Sequence, residues 1–368
     1  MKMKEPKPRI AVLGLHHGYK CASDLMATGW GELAAVSGDT DLSRANAARL
    51  GIRLYEDYRE LIDSVEVDGV IVTLPNHLHR EAAERCAARG FHVLVEKPIA
   101  STLEDADRIA ELGEKYGVKI LVGHHRRFSP MLRRGRREVA SGGLGRLVAV
   151  NAVWAALKPD DYFRAGWRTR AESGGGPLMI NAVHTVDDIR FLTGQEIVEV
   201  HASASNRIRG FAVEDTAAAT LVLDGGALAT VLISDCVPSI WNYESNAGEN
   251  PAVYHRPGHS YILFGAAGSL ALPELRRVSY PEGNRGWANP AVEETLEANG
   301  SDPAERGSDR AERGSEPADP MTALLGHFCR VCVGEETPMV TGADARESLR
   351  AVLAIKESVA TGRPVKLR

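Results

Sequence analysis

No stretch of this 368-residue chain approaches the ~18–20 consecutive apolar residues that a helical membrane span needs. The basic, proline-containing N-terminus leads into an apolar run broken by Gly14 and His16, too short for a signal-peptide core. The expected compartment is the cytoplasm, and no membrane partner is expected. An excess of positive charge is also missing. The net charge of −5 gives no reason to expect binding to nucleic acid. Cysteines number five, scattered and odd, which is a poor disulfide framework and fits a reducing environment. Cys329 and Cys332 form a C-x-x-C with no second pair, so they read as core-facing thiols. His16-His17 and His124-His125 are adjacent pairs without the i, i+4 spacing of a zinc motif. No metal is expected.

What is present is ordinary globular material, 44% hydrophobic and 25% charged, in a chain long enough for two domains. The first 120 or so residues alternate short apolar runs (10–13, 33–37, 69–73, 92–96, 119–122) with amphipathic stretches (41–50, 80–89, 103–116). That alternation predicts a Rossmann-type parallel sheet wrapped by helices. Gly51, Gly90 and Gly117 follow three of those helices, where a left-handed cap is least strained. From about residue 146 strand-like runs dominate (147–154, 197–205, 216–223, 227–234), with Asp224-Gly225-Gly226 as a hairpin turn. One helix is expected at 180–192 and two late ones at 322–333 and 344–360. The fold class is therefore α/β: a nucleotide-binding domain over 1–128, then an α/β domain over 129–368 with a large, mainly antiparallel open sheet. The final helix is expected to pack back on the first domain. The charged repeat SDPAERG, SDRAERG, SEPADP is too polar to offset its ordering entropy, so a mobile surface loop is expected over 301–320.

Chemistry-bearing residues gather at strand ends. The first strand runs into Gly14-Leu15-His16-His17-Gly18-Tyr19-Lys20. A glycine between strand and helix lets the backbone approach a pyrophosphate held on the helix N-terminus. His16 and Tyr19 occupy two glycine positions of the usual fingerprint, so an ordinary turn remains an alternative. Asp39 at the tip of the second strand can accept from the ribose hydroxyls of NAD and would repel the 2′-phosphate of NADP. It could instead cap the next helix, although Asp41 can serve there. Lys97, in Val95-Glu96-Lys97-Pro98, stands at the C-terminal edge of a parallel strand, where its ammonium could donate to a substrate oxygen. Later, Gly174-Gly175-Gly176-Pro177 precedes Asn181-Ala182-Val183-His184-Thr185-Val186-Asp187. On a helix, His184 and Asp187 share a face.

Pro75-Asn76-His77-Leu78-His79, Glu96-Lys97-Pro98, the stretch 123–128, Trp167-Arg168, the triple glycine and the stretch 184–187 follow one another across nearly the whole chain. In that order they resemble the glucose–fructose oxidoreductase and inositol dehydrogenase family (Gfo/Idh/MocA). The resemblance implies an oxidoreductase using NAD, with NADP second, on a sugar, polyol or cyclitol. It implies an open sheet often paired into homodimers or homotetramers. Lys97 would contact both nicotinamide ribose and substrate, and His184 would be the general acid/base. Gly14, His16, His17, Asp39, Pro75, Asn76, His79, Glu96, Trp167 and Arg168 would complete the cofactor site, with Arg127 and Asn181 at the substrate. One departure stands out: many members carry an acid four positions before the histidine, and here that residue is Ile180.

Oxidising an alcohol sends a hydride to the nicotinamide and a proton to a base, a task suited to histidine. Cationic Lys97 would stabilise the developing alkoxide, and Asp187 could fix the histidine tautomer. A dihydrodiol dehydrogenase, a carbonyl reductase and a non-catalytic NAD sensor remain alternatives. The aromatic, polar segment 239–251 is expected either to wall the substrate pocket or to pack on a neighbouring subunit.

Overall fold

The computed structural model describes residues 7–298 and 319–367. The charged repeat lies outside the described residues, apart from Asp319 and Pro320. The chain divides into two compact units: one runs to His125 and regains Met321–Leu349, the other comprises Arg126–Pro320 with Arg350–Arg368. The division therefore falls a few residues before the expected one at 128, and part of the late chain belongs to the first unit.

The first unit is built from β1 (Arg9–Leu13), α1 (Gly18–Thr28), β2 (Glu32–Ser37), α2 (Asp41–Leu50), β3 (Leu54–Tyr55), α3 (Tyr58–Ser64), β4 (Gly69–Val72), α4 (His79–Ala88), β5 (His92–Val95), α5 (Leu103–Tyr116) and β6 (Ile120–Val122). The strands are wholly parallel, in the order β3-β2-β1-β4-β5-β6. The winding reverses between β1 and β4, the point where such sheets take their ligands at the carboxyl ends of the strands. β1 and β4 are almost wholly buried because helices cover both faces, which is why these strands read as unbroken apolar runs.

The second unit begins with α6 (Pro130–Ala140) and β7 (Leu147–Ala155), then a run of single turns before α7 (Val183–Thr193). β8 (Ile197–Ser205), β9 (Thr216–Leu223), β10 (Leu228–Ser234), α8 (Tyr243–Ala247), β11 (His259–Gly265), β12 (Gly268–Pro273), β13 (Arg276–Ser279) and β14 (Val292–Thr295) follow. The chain closes with α9 (Pro320–Cys332), α10 (Gly342–Thr361) and β15 (Val365–Lys366). The nine strands are ordered β14-β13-β12-β11-β7-β10-β9-β8-β15. Only β7 and β10 run parallel, so the sheet is mixed and mainly antiparallel. One face supplies core residues such as Val150, Trp154, Leu221 and Ile233. On the other face, at the centre of the sheet, His201, Ala218, Thr220, Leu228, Thr230 and Leu232 are exposed, and none of them is charged.

α9 packs within the first unit because Gly69 leaves room for it. A Cβ on Gly69 would meet Phe328 Cζ at 2.8 Å and Cys332 Sγ at 2.7 Å. The Cys329 thiol is pushed up to about 12 by burial, so these cysteines are core groups. Val122 N–H then donates to Val340 O at 3.1 Å, extending the edge of the parallel sheet. Among the described residues no helix is long and apolar enough to cross a membrane.

Candidate functional site

In the first unit, the turn after β1 is shaped by what it cannot hold. Gly14 has φ +90°, and a Cβ there would lie 2.8 Å from Thr73 O. The Thr73 hydroxyl donates to Leu13 O at 2.8 Å and tightens the same turn. α1 starts at once, with no side-chain cap from His17 and no acid in its first turn. By contrast α2, α3 and α5 are capped by Thr40, Asp57 and Thr102. Uncapped first-turn amides are orphan donors, and with the helix dipole they suit a phosphate. The residues present therefore fit a dinucleotide. The cap of α2 is Thr40, whose hydroxyl accepts from Ser43 N at 3.0 Å, and this corrects the assignment of that role to Asp41. Asp39 is exposed and, among the described residues, takes no hydrogen bond or ion pair, so its carboxylate is open to a ribose.

At the ends of β4 and β5, Pro75 is exposed and Asn76 half-buried in a single 3₁₀ turn. Glu96 is buried, and its Oε2 accepts from Lys97 N at 3.1 Å. A Cβ on Gly123 would press to 3.0 Å from Glu96 Oε1, so only glycine leaves the carboxylate its place. His17 Nε2 lies 3.8 Å from that same oxygen; His16, beside it, is exposed. Lys97 is half-buried. His79, expected to contact the cofactor, is instead fully buried. Its Nε2 faces Leu74 O at 2.8 Å and its Nδ1 faces Pro98 O at 3.1 Å, and burial pulls its pKa down. The ring ties the loop after β4 to the loop that carries Lys97.

In the second unit, the expected helix at 180–192 starts earlier and differently. Leu178–Ala182 forms a π turn, and α7 follows from Val183. Such turns recur at functional sites. His184 (5% exposed) and Asn181 (8%) lie on this segment. Asp187, expected to fix the His184 tautomer, is bound to an arginine: its Oδ2 and Oδ1 accept from Arg127 Nε at 2.8 Å and Nη2 at 2.6 Å. Arg127, expected at the substrate, is thus buried with its fork spent on α7. The neighbouring pair repeats the pattern. Arg126 Nη1 donates to Asp188 Oδ2 at 2.8 Å, its Nη2 donates to Glu244, and Tyr261 OH donates to Asp188 Oδ2 at 2.6 Å. Trp154 Nε1 donates to Glu244 Oε2 at 2.8 Å. Sequence reasoning missed Arg126, Asp188, Glu244 and Tyr261. The signal was two adjacent arginines and two adjacent aspartates.

Trp167 is exposed. Arg168 stacks on Tyr162 at 3.9 Å from the ring centroid. Lys158, also missed, donates to Asn181 Oδ1 at 2.7 Å. The segment 239–251 is not simply a loop. Tyr243 and Asn246 are buried in α8, and Asn242 caps it, while Trp241 stays exposed beside a cavity of about 560 Å³ shared with His259, Glu274 and Arg276. In the same segment burial pushes Glu249 up to about 7; its Oε2 accepts from Tyr243 OH at 3.1 Å. A carboxyl raised in the fold gives stability at low pH that fades as pH climbs from its unfolded value through about 7. Glu249→Gln is therefore expected to raise Tm by a few degrees at pH 8 and to change it little at pH 5. Equal shifts at both pH values in a melting series would contradict this.

Comparison with known proteins adds to this geometry. A family model described as "Oxidoreductase family, NAD-binding Rossmann fold" matches residues 8–124, and one described as "GFO/IDH/MocA C-terminal domain" matches residues 132–271. The rhizopine catabolism protein MocA of Rhizobium meliloti is 36% identical over 195 residues, 52% of this chain and 59% of that protein. The match thus spans about three-fifths of that relative's length. The myo-inositol 2-dehydrogenase of Thermotoga maritima is 31% identical over 61% of this chain and 67% of its own. Among solved structures, the aldose-aldose oxidoreductase of Caulobacter crescentus complexed with glycerol is 26% identical, with a TM-score of 0.73 over 98% of this chain and 100% of that one.

Proposed function

The chain belongs to the GFO/IDH/MocA oxidoreductase family, and from that premise we propose that it is a dehydrogenase moving hydride between NAD and a secondary hydroxyl of a sugar, polyol or cyclitol. One observation carries the reading: the carboxyl edge of the parallel sheet collects the uncapped start of α1, the open carboxylate of Asp39 and, two residues past β5, Lys97. NAD, when bound, supplies the hydride acceptor at its nicotinamide. The α1 amides and the Gly14 turn would hold its pyrophosphate, and Asp39 would accept from the adenosine ribose hydroxyls, which favours NAD over NADP.

The remaining steps belong to side chains. Lys97 would donate to the reacting oxygen and stabilise negative charge as it develops there. His184 would remove the hydroxyl proton, and return it in the reverse direction. Glu96 holds the Lys97 backbone, and His79 braces the loop beyond it. The test is absorbance at the reduced-nicotinamide band with NAD and NADP in parallel, across aldoses, inositols, anhydrosugars and cyclic diols. Lys97-dependent turnover with NAD on one class supports the reading. Silence across the panel with tight NADH binding would replace it with a sensor.

The uncharged centre of the exposed face of the second sheet supports a further part of the reading, self-association of two or four copies. An exposed β surface of Ala, Thr and Leu without charges is a pairing surface rather than a solvated one. Leu232→Asp is expected to lower the solution mass to that of one chain, read by light scattering, with circular dichroism unchanged. An unaltered mass would reject this interface. Buried, unpaired cysteine thiols support a cytoplasmic location.

A further inference from the structure

Lys158, in the segment after β7, is held by its backbone on both sides. Its N–H donates to Asp235 O at 3.0 Å, and its carbonyl accepts from Arg209 Nη2 at 2.8 Å. Two residues earlier, Ala156 N–H donates to Ser234 O at 3.0 Å. The side chain is 11% exposed. Its ammonium sits 4.6 Å from the centroid of Tyr162 and 5.3 Å from that of Trp154, and it reaches Asn181 Oδ1 at 2.7 Å. Asp235 Oδ2 is 3.8 Å away, and the same carboxylate takes Arg209 Nε at 2.9 Å, so two cations share one carboxylate.

An ammonium has donors only. The contact therefore decides which way the Asn181 amide faces: oxygen toward Lys158, –NH2 away from it. Asn181 is more than nine-tenths buried, and among the described residues no acceptor takes its amide hydrogens. The Arg168 guanidinium also lies against the Tyr162 ring, and its buried Nε has no acceptor among the described residues. Buried donors left unpaired are costly unless a ligand supplies the acceptor. Just before His184, then, the chain presents a set of donors with a preorganised backbone.

We propose that Lys158 is a specificity-determining residue, and that with Asn181 it forms a subsite for a carboxylate on the substrate, so that a sugar acid or polyol acid is the preferred ligand. The proposal rests on the reading of His184 as the group that meets the substrate. A carboxylate brings acceptors alone and makes charge-assisted bonds, about twice as strong as neutral ones. A hydroxyl in the same place would bring a proton with no acceptor to receive it.

The test is titration calorimetry in the presence of NADH, with matched pairs: D-glucuronate against D-glucose, D-galacturonate against D-galactose, D-gluconate against sorbitol. The wild type is expected to bind the acid of at least one pair roughly tenfold or more tightly than its neutral partner. Lys158→Met should remove that preference. Asn181→Asp keeps the shape and can still accept from Lys158, but turns a donor into an anionic acceptor. It should abolish acid binding while Tm and NADH affinity stay near wild type. Equal affinity for acids and neutral sugars, no binding of any acid, or a preference that survives both substitutions overturns the proposal. The calorimetric readout is independent of turnover. An acid preference without Lys97-dependent turnover would therefore keep the subsite and reject the dehydrogenase. Turnover of neutral sugars without the preference would do the reverse.

Discussion

His184→Ala is expected to lower kcat by about 10²–10⁴-fold, the usual worth of positioned acid–base transfer, with NADH affinity and Tm close to wild type. Stability should survive because α7 has other anchors. The paired forks of Arg126 and Arg127 on Asp188 and Asp187 hold the helix, and its C-terminus is closed by Gly194 in the left-handed conformation. The pH dependence that a titrating base imposes on kcat/KM should disappear with the side chain. Lys97→Ala should cost about 10²–10³-fold, the scale for losing one preorganised donor to developing charge. Steady-state absorbance assays on whichever substrate class the panel identifies would check both. Near-normal turnover in either variant would remove that residue from the reaction.

The largest expected loss of stability lies at Arg126. Arg126→Met strands Asp188 and the Glu244 carboxylate without their shared cation, and breaking a buried ionic network by removing one partner costs about 3–5 kcal/mol. Burial already raises Asp188 to about 6 with the arginine in place. Burial also works against Glu244, yet Arg126 keeps its pKa below the ordinary carboxylate value. Without Arg126 both carboxyls would resist ionisation. The deficit should therefore be greatest above pH 7 and shrink toward pH 5, where the two groups can take up protons instead of carrying charge. Denaturant titration at both pH values reads this directly. A further comparison separates charge from packing. Asp188→Asn with Glu244→Gln, added to Arg126→Met, should recover much of the loss, because no lone charge then remains buried. A triple variant no more stable than the single one would mean that packing, not ionisation, dominates.

The sequence carried the fold where burial is simple. β1, β4 and β5 are covered on both faces and so appear as short apolar runs, and Gly51 and Gly117 stop α2 and α5 where the spacing placed them. β3 has only two residues, and β13 and β14 are the polar strings Arg-Arg-Val-Ser and Val-Glu-Glu-Thr with little buried surface, so periodicity had nothing to register. α6 was hidden by its arginines, which lie along apolar partners: Arg133 over Phe128, Arg136 over Phe191. The motif residues at strand ends could be found because the chain itself brings them to one edge. Lys158 could not be found that way. Its meaning comes from Asn181, 23 residues on, and no local pattern joins them. The π turn before α7 was invisible for a related reason, since a five-residue turn leaves no periodic trace in so short a segment.

Phe328 and Val340 fill and edge a sheet whose strands end at Val122. On the ribosome, the part of the protein made first is consequently the part finished last. Six strands and five helices emerge while the cover over Gly69 is still some two hundred codons away, and the second unit must be threaded out before that cover arrives. The nascent first unit must wait with an apolar window open, so cutting the gene at the boundary near residue 125 would not yield a self-sufficient nucleotide-binding piece. A plasmid that supplies the segment Met321–Leu349 by a short linker directly after β6 would close the window early.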